Sequence, residues 1–421
     1  MNFLKYPKVL VLSIPPWNNT SNTFSDLFSG WDKDALANVY CRGGKPTSVV
    51  CDNYFCINET AVIKSILKKN LKTGCVTERA EDTKNLGSGK SPKHSEILSL
   101  VRDILWKLGR WNTKELKEFI KDFDPDVILF PIEGYCHFNN VARTVVKLTG
   151  KKGIGFLWDD NFTYKPHPSS LPFLLRRFFV RRNVKKTVAV CDKIFAINSK
   201  MQKEIKEVFG RDSVIITKGV EQSVTADVRE RCFPIRLCYA GKLIIGRDKT
   251  LALLSKAIKE VNKEEKKFEL SVYTQTALSD EQKNSLNISG DVLKGAVPRE
   301  ELKKIYKETD LLVFAEALSG KDKYAARLSF STKITDYLSS GKAIFAIAPR
   351  DIAPTETLSQ NGTAIIAENS DEIVKTLRFI ASDPNVLNTH AERSELLSKA
   401  EHNITVIREK LYKEISEIEH N

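Results

Sequence analysis

Short apolar runs alternate along this chain with longer stretches whose apolar residues return every three or four positions. That is the signature of buried strands alternating with amphipathic helices in a parallel α/β sheet. In the first half the runs predict strands at 8–14, 126–130, 153–158, 193–197 and 214–217. In the second half they fall at 237–240, 268–273, 311–315, 343–347 and 364–367. Residues 383–419 are helical in character, and the polar, Gly- and Ser-containing stretch 77–96 is expected to be a loop. The chain has no internal repeat and no heptad array.

One helix pattern carries chemistry. Leu328, Ile334, Tyr337 and Leu338 keep helical spacing, Ser331 or Thr332 stands at the N-cap, and Gly341 occupies the place of a left-handed terminating residue. The helix therefore opens with hydroxyls, backbone N–H groups and Lys333, which together make an anion site, and it runs into the apolar strand 343–348. Asp336, one turn in, is placed to accept hydrogen bonds from a ribose diol whose phosphates sit at that N-terminus. The same Lys333 and Asp336 also fit an exposed i,i+3 ion pair worth only ~0.2–0.5 kcal/mol. Upstream, Glu316 falls at the carboxyl end of the strand 311–315, where open α/β sheets bind ligands; the alternative is a solvated loop acid. Lys321 and Lys323 follow in a lysine-containing loop and are placed to join a phosphate site.

Length and composition set bounds on this picture. A chain of 421 residues suits two domains, and 42% hydrophobic with 28% charged residues is a folded, soluble composition. No apolar run approaches the ~20 residues that span a bilayer, and the apolar N-terminal run breaks at Pro15-Pro16 and reads as a first strand rather than a signal segment. The eight cysteines lack C-x-x-C pairing and are read as reduced, in a cytoplasmic protein; the sequons at Asn58 and Asn361 are then chance matches. The string Gly87-Ser88-Gly89-Lys90-Ser91 is not a phosphate-binding P-loop, because Lys84 stands where its first glycine is needed, no buried strand precedes it and Pro92 follows.

Charge is unevenly distributed. Residues 1–220 hold 36 Lys and Arg against 22 Asp and Glu (+14), and residues 221–421 hold 30 against 31 (−1). An anionic partner for the first half alone is implied. The segment from Leu171 to Lys186 concentrates the effect, with six basic residues beside Phe173, Phe178 and Phe179. Leu171, Leu174, Leu175 and Phe178 fall on one helical face and Arg177, Arg181 and Lys185 on another. An ordinary sheet-covering helix would account for this pattern; an interfacial helix on an anionic membrane surface accounts for more of it. No nucleic-acid-binding module is present.

From 310 to 341 the order of a strand-end acid, a loop and a helix reading S-T-K-x-x-D-Y-L-x-x-G-K resembles the donor half of the GT-B glycosyltransferases, in particular the retaining family 4 type. Asp336 stands where Glu is more frequent, and Ala343 where proline is usual. Two further turns, 217–221 (T-K-G-V-E) and 294–302 (K-G-A-V-P-R-E-E-L), are similar to the turn that ends the first domain and the one near the nucleobase. The resemblance runs from about 191 to 381 and is architectural before that. It implies two Rossmann-like domains facing across a cleft: 1–222 for the acceptor, 233–385 for the donor, and 386–421 as helices crossing back to the first.

The resemblance also implies roles. Gly241, ending the strand 236–240, lets backbone approach a phosphate, while Lys242 and Arg247 neutralise the leaving diphosphate together with Ser331, Thr332 and Lys333. Glu316 lies near the donor sugar. At the end of strand 153–158, Asp159 and Asp160 are candidates for acceptor binding or proton abstraction, with an N-cap or a metal pair as alternatives. Glu133 is next in line, and His137 is read as structural. The loop 17–23 lacks the paired glycines of many relatives. The expected activity is hexosyl transfer, with retention, from a nucleotide-diphosphate sugar, UDP-sugar favoured, to a glycan or polyprenyl-linked acceptor at the cytosolic membrane face. Neither a cofactor beyond the donor nor a metal is implied. A catalytically silent GT-B partner subunit and a sugar-nucleotide 2-epimerase are the alternatives.

Overall fold

The computed structural model describes residues 6–18, 23–68, 70–81, 95–166, 170–221 and 225–420. Residues 19–22 of the loop after the first strand and the Gly87–Ser91 string lie outside them. The chain divides into two compact units, one made of Met1–Tyr164, Pro168–Ile216 and Val406–Asn421, the other of Lys165–His167 and Thr217–Thr405.

In the first unit the strands are β1 (Val9–Ser13), β2 (Leu36–Tyr40), β3 (Asn53–Ile57), β4 (Gly74–Val76), β5 (Val127–Pro131), β6 (Lys152–Leu157), β7 (Lys193–Ala196) and β8 (Val214–Ile215). They form one sheet in the order β4-β3-β2-β1-β5-β6-β7-β8, parallel throughout except for the β3–β4 edge pair. β1, β2 and β5 are wholly buried, as parallel strands covered on both faces must be. The C-terminal segment belongs to this unit: Lys193 Nζ reaches Glu414 Oε2 at 2.6 Å, and Arg408 Nε donates to the Asp26 carbonyl at 2.9 Å.

The second unit has β9 (Ile235–Ala240), β10 (Phe268–Tyr273), β11 (Leu293–Gly295), β12 (Leu311–Ala315), β13 (Ala343–Ile347) and β14 (Ala364–Ala367). Their order, β11-β10-β9-β12-β13-β14, all parallel, is the doubly wound Rossmann order, and it reverses between β9 and β12. A crevice at the carboxyl ends of those two strands is where such a sheet takes its ligand. The core splits into two clusters, one on each side of the sheet. Leu237, Tyr239, Val313 and Phe345 point to one side, and Cys238, Leu312, Phe314 and Ile344 to the other.

The helix Leu171–Ala189 corrects the facing expected from its sequence. Phe173, Arg176, Arg177, Val180 and Val184 turn inward, while Leu171, Leu174, Leu175, Phe178 and Phe179 are exposed. Three of the six basic residues are occupied by the protein. Arg176 binds Glu96 at 2.8 Å and the Gly134 carbonyl, Arg177 donates to the Asp160 carbonyl at 2.8 Å, and Arg181 reaches the Phe162 carbonyl at 3.4 Å and lies over the Tyr164 ring. Guanidinium groups can be buried here because loop carbonyls and a carboxylate meet their N–H groups.

Candidate active site

β9 ends in Gly241, whose N–H is held by the Tyr273 carbonyl at 2.9 Å and whose φ is +150°. The turn then passes through Ile245 at φ +57° and Gly246 at φ +75° before the helix Arg247–Val261 begins. A β-branched residue in the left-handed region is strained, by on the order of 1–3 kcal/mol, and such strain gathers at ligand loops. Both glycines have positive φ and close neighbours. A Cβ on Gly241 would lie 2.2 Å from Lys333 Cε, and one on Gly246 would lie 2.8 Å from Ala317 Cβ.

Lys333 comes from the helix Thr332–Ser339, and its Nζ sits 2.7 Å from the Tyr239 hydroxyl and 4.3 Å over that ring. The Tyr239 hydroxyl donates in turn to the Lys242 carbonyl at 3.0 Å, so β9, the glycine turn and the helix are tied through one phenol. Burial pushes the Lys333 ammonium down to about 7; the neighbouring Arg247 charge pushes the same way and Glu316 opposes both. Ser331 is the N-cap, but its side chain takes no N–H of the first turn. Gly341 ends the helix at φ +64°, with no room for a side chain against the Thr225 carbonyl.

Glu316 follows β12 and is 3% exposed. It receives Arg247 through both oxygens, at 2.9 and 2.7 Å, while its own carbonyl accepts from Thr250 Oγ1 at 2.7 Å. Burial disfavours the Arg247 charge, but the Glu316 hydrogen bonds outweigh it and the guanidinium stays cationic. Gly241, Arg247, Glu316 and Lys333 are thus brought together at the strand reversal. Ser331, Thr332 and the half-buried Asp336 accompany Lys333 on its helix, and Lys242 is exposed at the turn. Tyr239, buried and bonded to Lys333, is a member that sequence reading missed. It was hidden inside an apolar run, although a tyrosine two residues before a strand-end glycine is a signal in itself.

In the first unit a second group lies at the ends of β5 and β6. Asn139 brackets Glu133, accepting from its N–H at 3.0 Å and donating to its carbonyl at 2.8 Å. Burial, and then the Asp159 charge, push the Glu133 carboxyl up to about 7, against hydrogen bonding from Trp158 and the Gly134 backbone. Asp159 is exposed, whereas Asp160 is buried and closes its own loop by accepting from Thr163 N at 2.9 Å and Thr163 Oγ1 at 2.6 Å. Arg176 and Arg177 hold the Gly134 and Asp160 carbonyls, so one helix pins both loops. His137 is buried, bonded to Asp103 at 2.7 Å and stacked on Trp106; Asp103 also takes its N–H at 2.9 Å and so caps the helix Cys136–Thr149. Among the described residues no group of three or more His, Cys, Asp or Glu is arranged to hold a metal ion.

Several solved structures match this chain almost end to end. HepE from Anabaena in complex with UDP superposes with a TM-score of 0.62 at 12% identity, over 97% of this chain and 100% of that one. Sucrose-phosphate synthase from Thermosynechococcus elongatus gives 0.63 at 11%, over 97% and 98%. A UDP-forming α,α-trehalose-phosphate synthase from Burkholderia vietnamiensis gives 0.60 at 11%, over 97% and 100%. This chain has the GT-B fold. No family model matches it, and no curated protein matches it in sequence. The GT-B fold places the Gly241 turn and the Lys333 helix at the strand reversal of its second Rossmann unit.

Proposed function

We propose that this GT-B protein is a glycosyltransferase resembling the retaining family 4 type, moving a hexosyl unit from a UDP-sugar to a glycan or lipid-linked acceptor. It would act in cell-surface polysaccharide or glycoconjugate synthesis, at the cytosolic face of a membrane. The observation that carries the reading is Lys333: a half-buried lysine whose desolvation lowers its pKa to about 7, its chain end filling the space beside Gly241, at a helix N-terminus whose cap side chain takes none of the N–H groups. An ammonium whose hydrogen bond is to a neutral phenol is stabilised by an incoming anion. Support for UDP comes from HepE, solved with UDP and with UDP-glucose on the same fold.

The geometry supports the following roles. The diphosphate is received by the Gly241 backbone, Lys333 and the N–H groups at Ser331–Thr332, with Lys242 at the rim. Asp336, one turn along, takes the ribose diol. Arg247 is held in orientation by Glu316, so its remaining N–H groups meet the leaving diphosphate without having to reorganise. Asp159 and the near-neutral Glu133 are assigned to the acceptor hydroxyl, Glu133 being the better matched to proton transfer at neutral pH. Asp160 holds its loop in shape.

A mass-spectrometric screen of the purified chain against UDP-, GDP- and dTDP-sugars, with UDP calorimetry alongside, tests the reading. Slow hydrolysis or transfer from one UDP-sugar supports it. Tight UDP binding without turnover of any sugar would point to a silent partner subunit. Binding of no nucleotide at all would remove the donor-site assignment.

A further inference from the structure

We propose that the outer faces of two adjacent helices of the first unit, Glu96–Leu108 and Leu171–Ala189, form a docking surface for an anionic lipid bilayer. The inference deepens the membrane-face part of the reading above and rests on it, but borrows nothing from the donor chemistry. The two helices pack on each other and are joined by the Glu96–Arg176 ion pair at 2.8 Å.

The Glu96–Leu108 helix is apolar on its outside. Ile97, Val101, Ile104 and Leu108 recur at intervals of three and four residues and are exposed, Ile104 by 58%, with Lys107 beside them. Its inward side is mixed, with Trp106 and Ser99 buried and Asp103 bonded to His137. A helix that turns its carboxylates inward and its apolar stripe outward leaves that stripe for a further apolar partner. The neighbouring helix exposes Leu171 (78%), Leu175 (51%) and Phe178 (46%), followed along the same helix by exposed Arg182, Lys185 and Lys186.

Charge decides the occupant. Both carboxylates of the first helix are turned into the protein, Glu96 onto Arg176 and Asp103 onto His137. No Asp or Glu occurs between Asp160 and Asp192. The outward surface of the pair is therefore mainly apolar and cationic, its carboxylates being paired with Arg176 and His137, and Arg182 lies over the Phe178 ring at 5.6 Å as a mixed apolar and cationic edge. A second copy of so basic a face would be repelled, whereas anionic headgroups above an acyl layer complement both halves of it. Among the described residues no helix is long and apolar enough to cross a membrane, so contact would be in the interface plane.

The test is co-sedimentation of the full chain with phosphatidylcholine vesicles made with or without phosphatidylglycerol. Binding is expected to the anionic vesicles only, and to weaken with salt. Arg182→Gln/Lys185→Gln/Lys186→Gln should lower partitioning roughly a hundredfold, and Ile104→Ser/Leu175→Ser/Phe178→Ser by roughly tenfold or more. All six positions are exposed, and circular dichroism melting verifies that both variants fold. No binding by the wild type, equal binding to both vesicle types, or unchanged binding by either variant would overturn the proposal. So would a lipid-free dimer that the serine variant converts to monomer. Because the assay contains neither donor nor acceptor, its failure and the failure of the transferase reading are separate results.

Discussion

Lys333 Cε occupies the space that a methyl group on residue 241 would need: the two positions are 2.2 Å apart. The glycine turn and the lysine are thus one feature made by two distant segments, and each restricts the other. Gly241→Ala should push Lys333 off Tyr239 and lower UDP affinity at least tenfold by calorimetry. Gly341→Ala, which meets the Thr225 carbonyl at 2.6 Å, should instead lower the melting temperature. Unchanged UDP affinity in Gly241→Ala would show that Lys333 does not touch the nucleotide.

The depressed Lys333 pKa gives a signed prediction for pH. In the free protein the amine loses its proton near 7, and a bound diphosphate raises that pKa. Between the two values binding must take up a proton. At pH 8, above the phosphate's own titration near about 6, the UDP binding enthalpy should depend on buffer ionisation enthalpy, and affinity should fall up to about tenfold per pH unit. Below about pH 6 the lysine is already charged and its uptake should vanish. Lys333→Arg should bind without proton uptake at pH 8, because a guanidinium stays charged throughout.

Much of this was readable in the chain, for reasons that are themselves physical. β10, β12, β13 and β14 lie where the sequence placed them: β12 and β13, buried on both faces, are apolar at every position, and β10 alternates buried and outward positions. β2 was not seen because Asn38 interrupts it, and that amide is buried by donating to the Val11 carbonyl and Ser13 Oγ, groups distant in sequence. β4 and β11, three residues each and largely exposed, leave almost no pattern. Gly241, Glu316 and Lys333 were legible as strand-end and helix-start residues. The pairing of Arg247 with Glu316 was not, and neither was the inward turn of Arg176 and Arg177. Their partners are a remote carboxylate and two loop carbonyls, and spacing along one helix says nothing of those.

That pairing alters what an Arg247 substitution reports. Removing the guanidinium leaves Glu316 buried and unmatched, so Arg247→Ala should destabilise the protein by ~2–4 kcal/mol as well as weaken UDP binding. Arg247→Ala/Glu316→Ala should recover part of the melting temperature and none of the UDP affinity. A single variant as stable as wild type in urea titration would mean the ion pair is not formed in solution.

Glu133 supplies the last prediction, and its sign is opposite to that of an ordinary surface acid. Its folded-state pKa is raised to about 7, above the usual value near 4.5, by burial and by Asp159. The folded protein therefore holds the proton more tightly than the unfolded chain, and stability declines as pH rises from about 4.5 towards 7. Glu133→Gln removes the charge that burial penalises while keeping a similar shape. At pH 5 the variant should melt close to wild type; at pH 8 it should be the more stable of the two, by up to ~3 kcal/mol. Transfer to an acceptor should fall far more than UDP binding, since the Gly241 turn, Lys333 and their neighbours are untouched. Parallel melting curves for the two proteins from pH 5 to 8 would place Glu133 in ordinary solvent and leave Asp159 as the acceptor-side carboxylate.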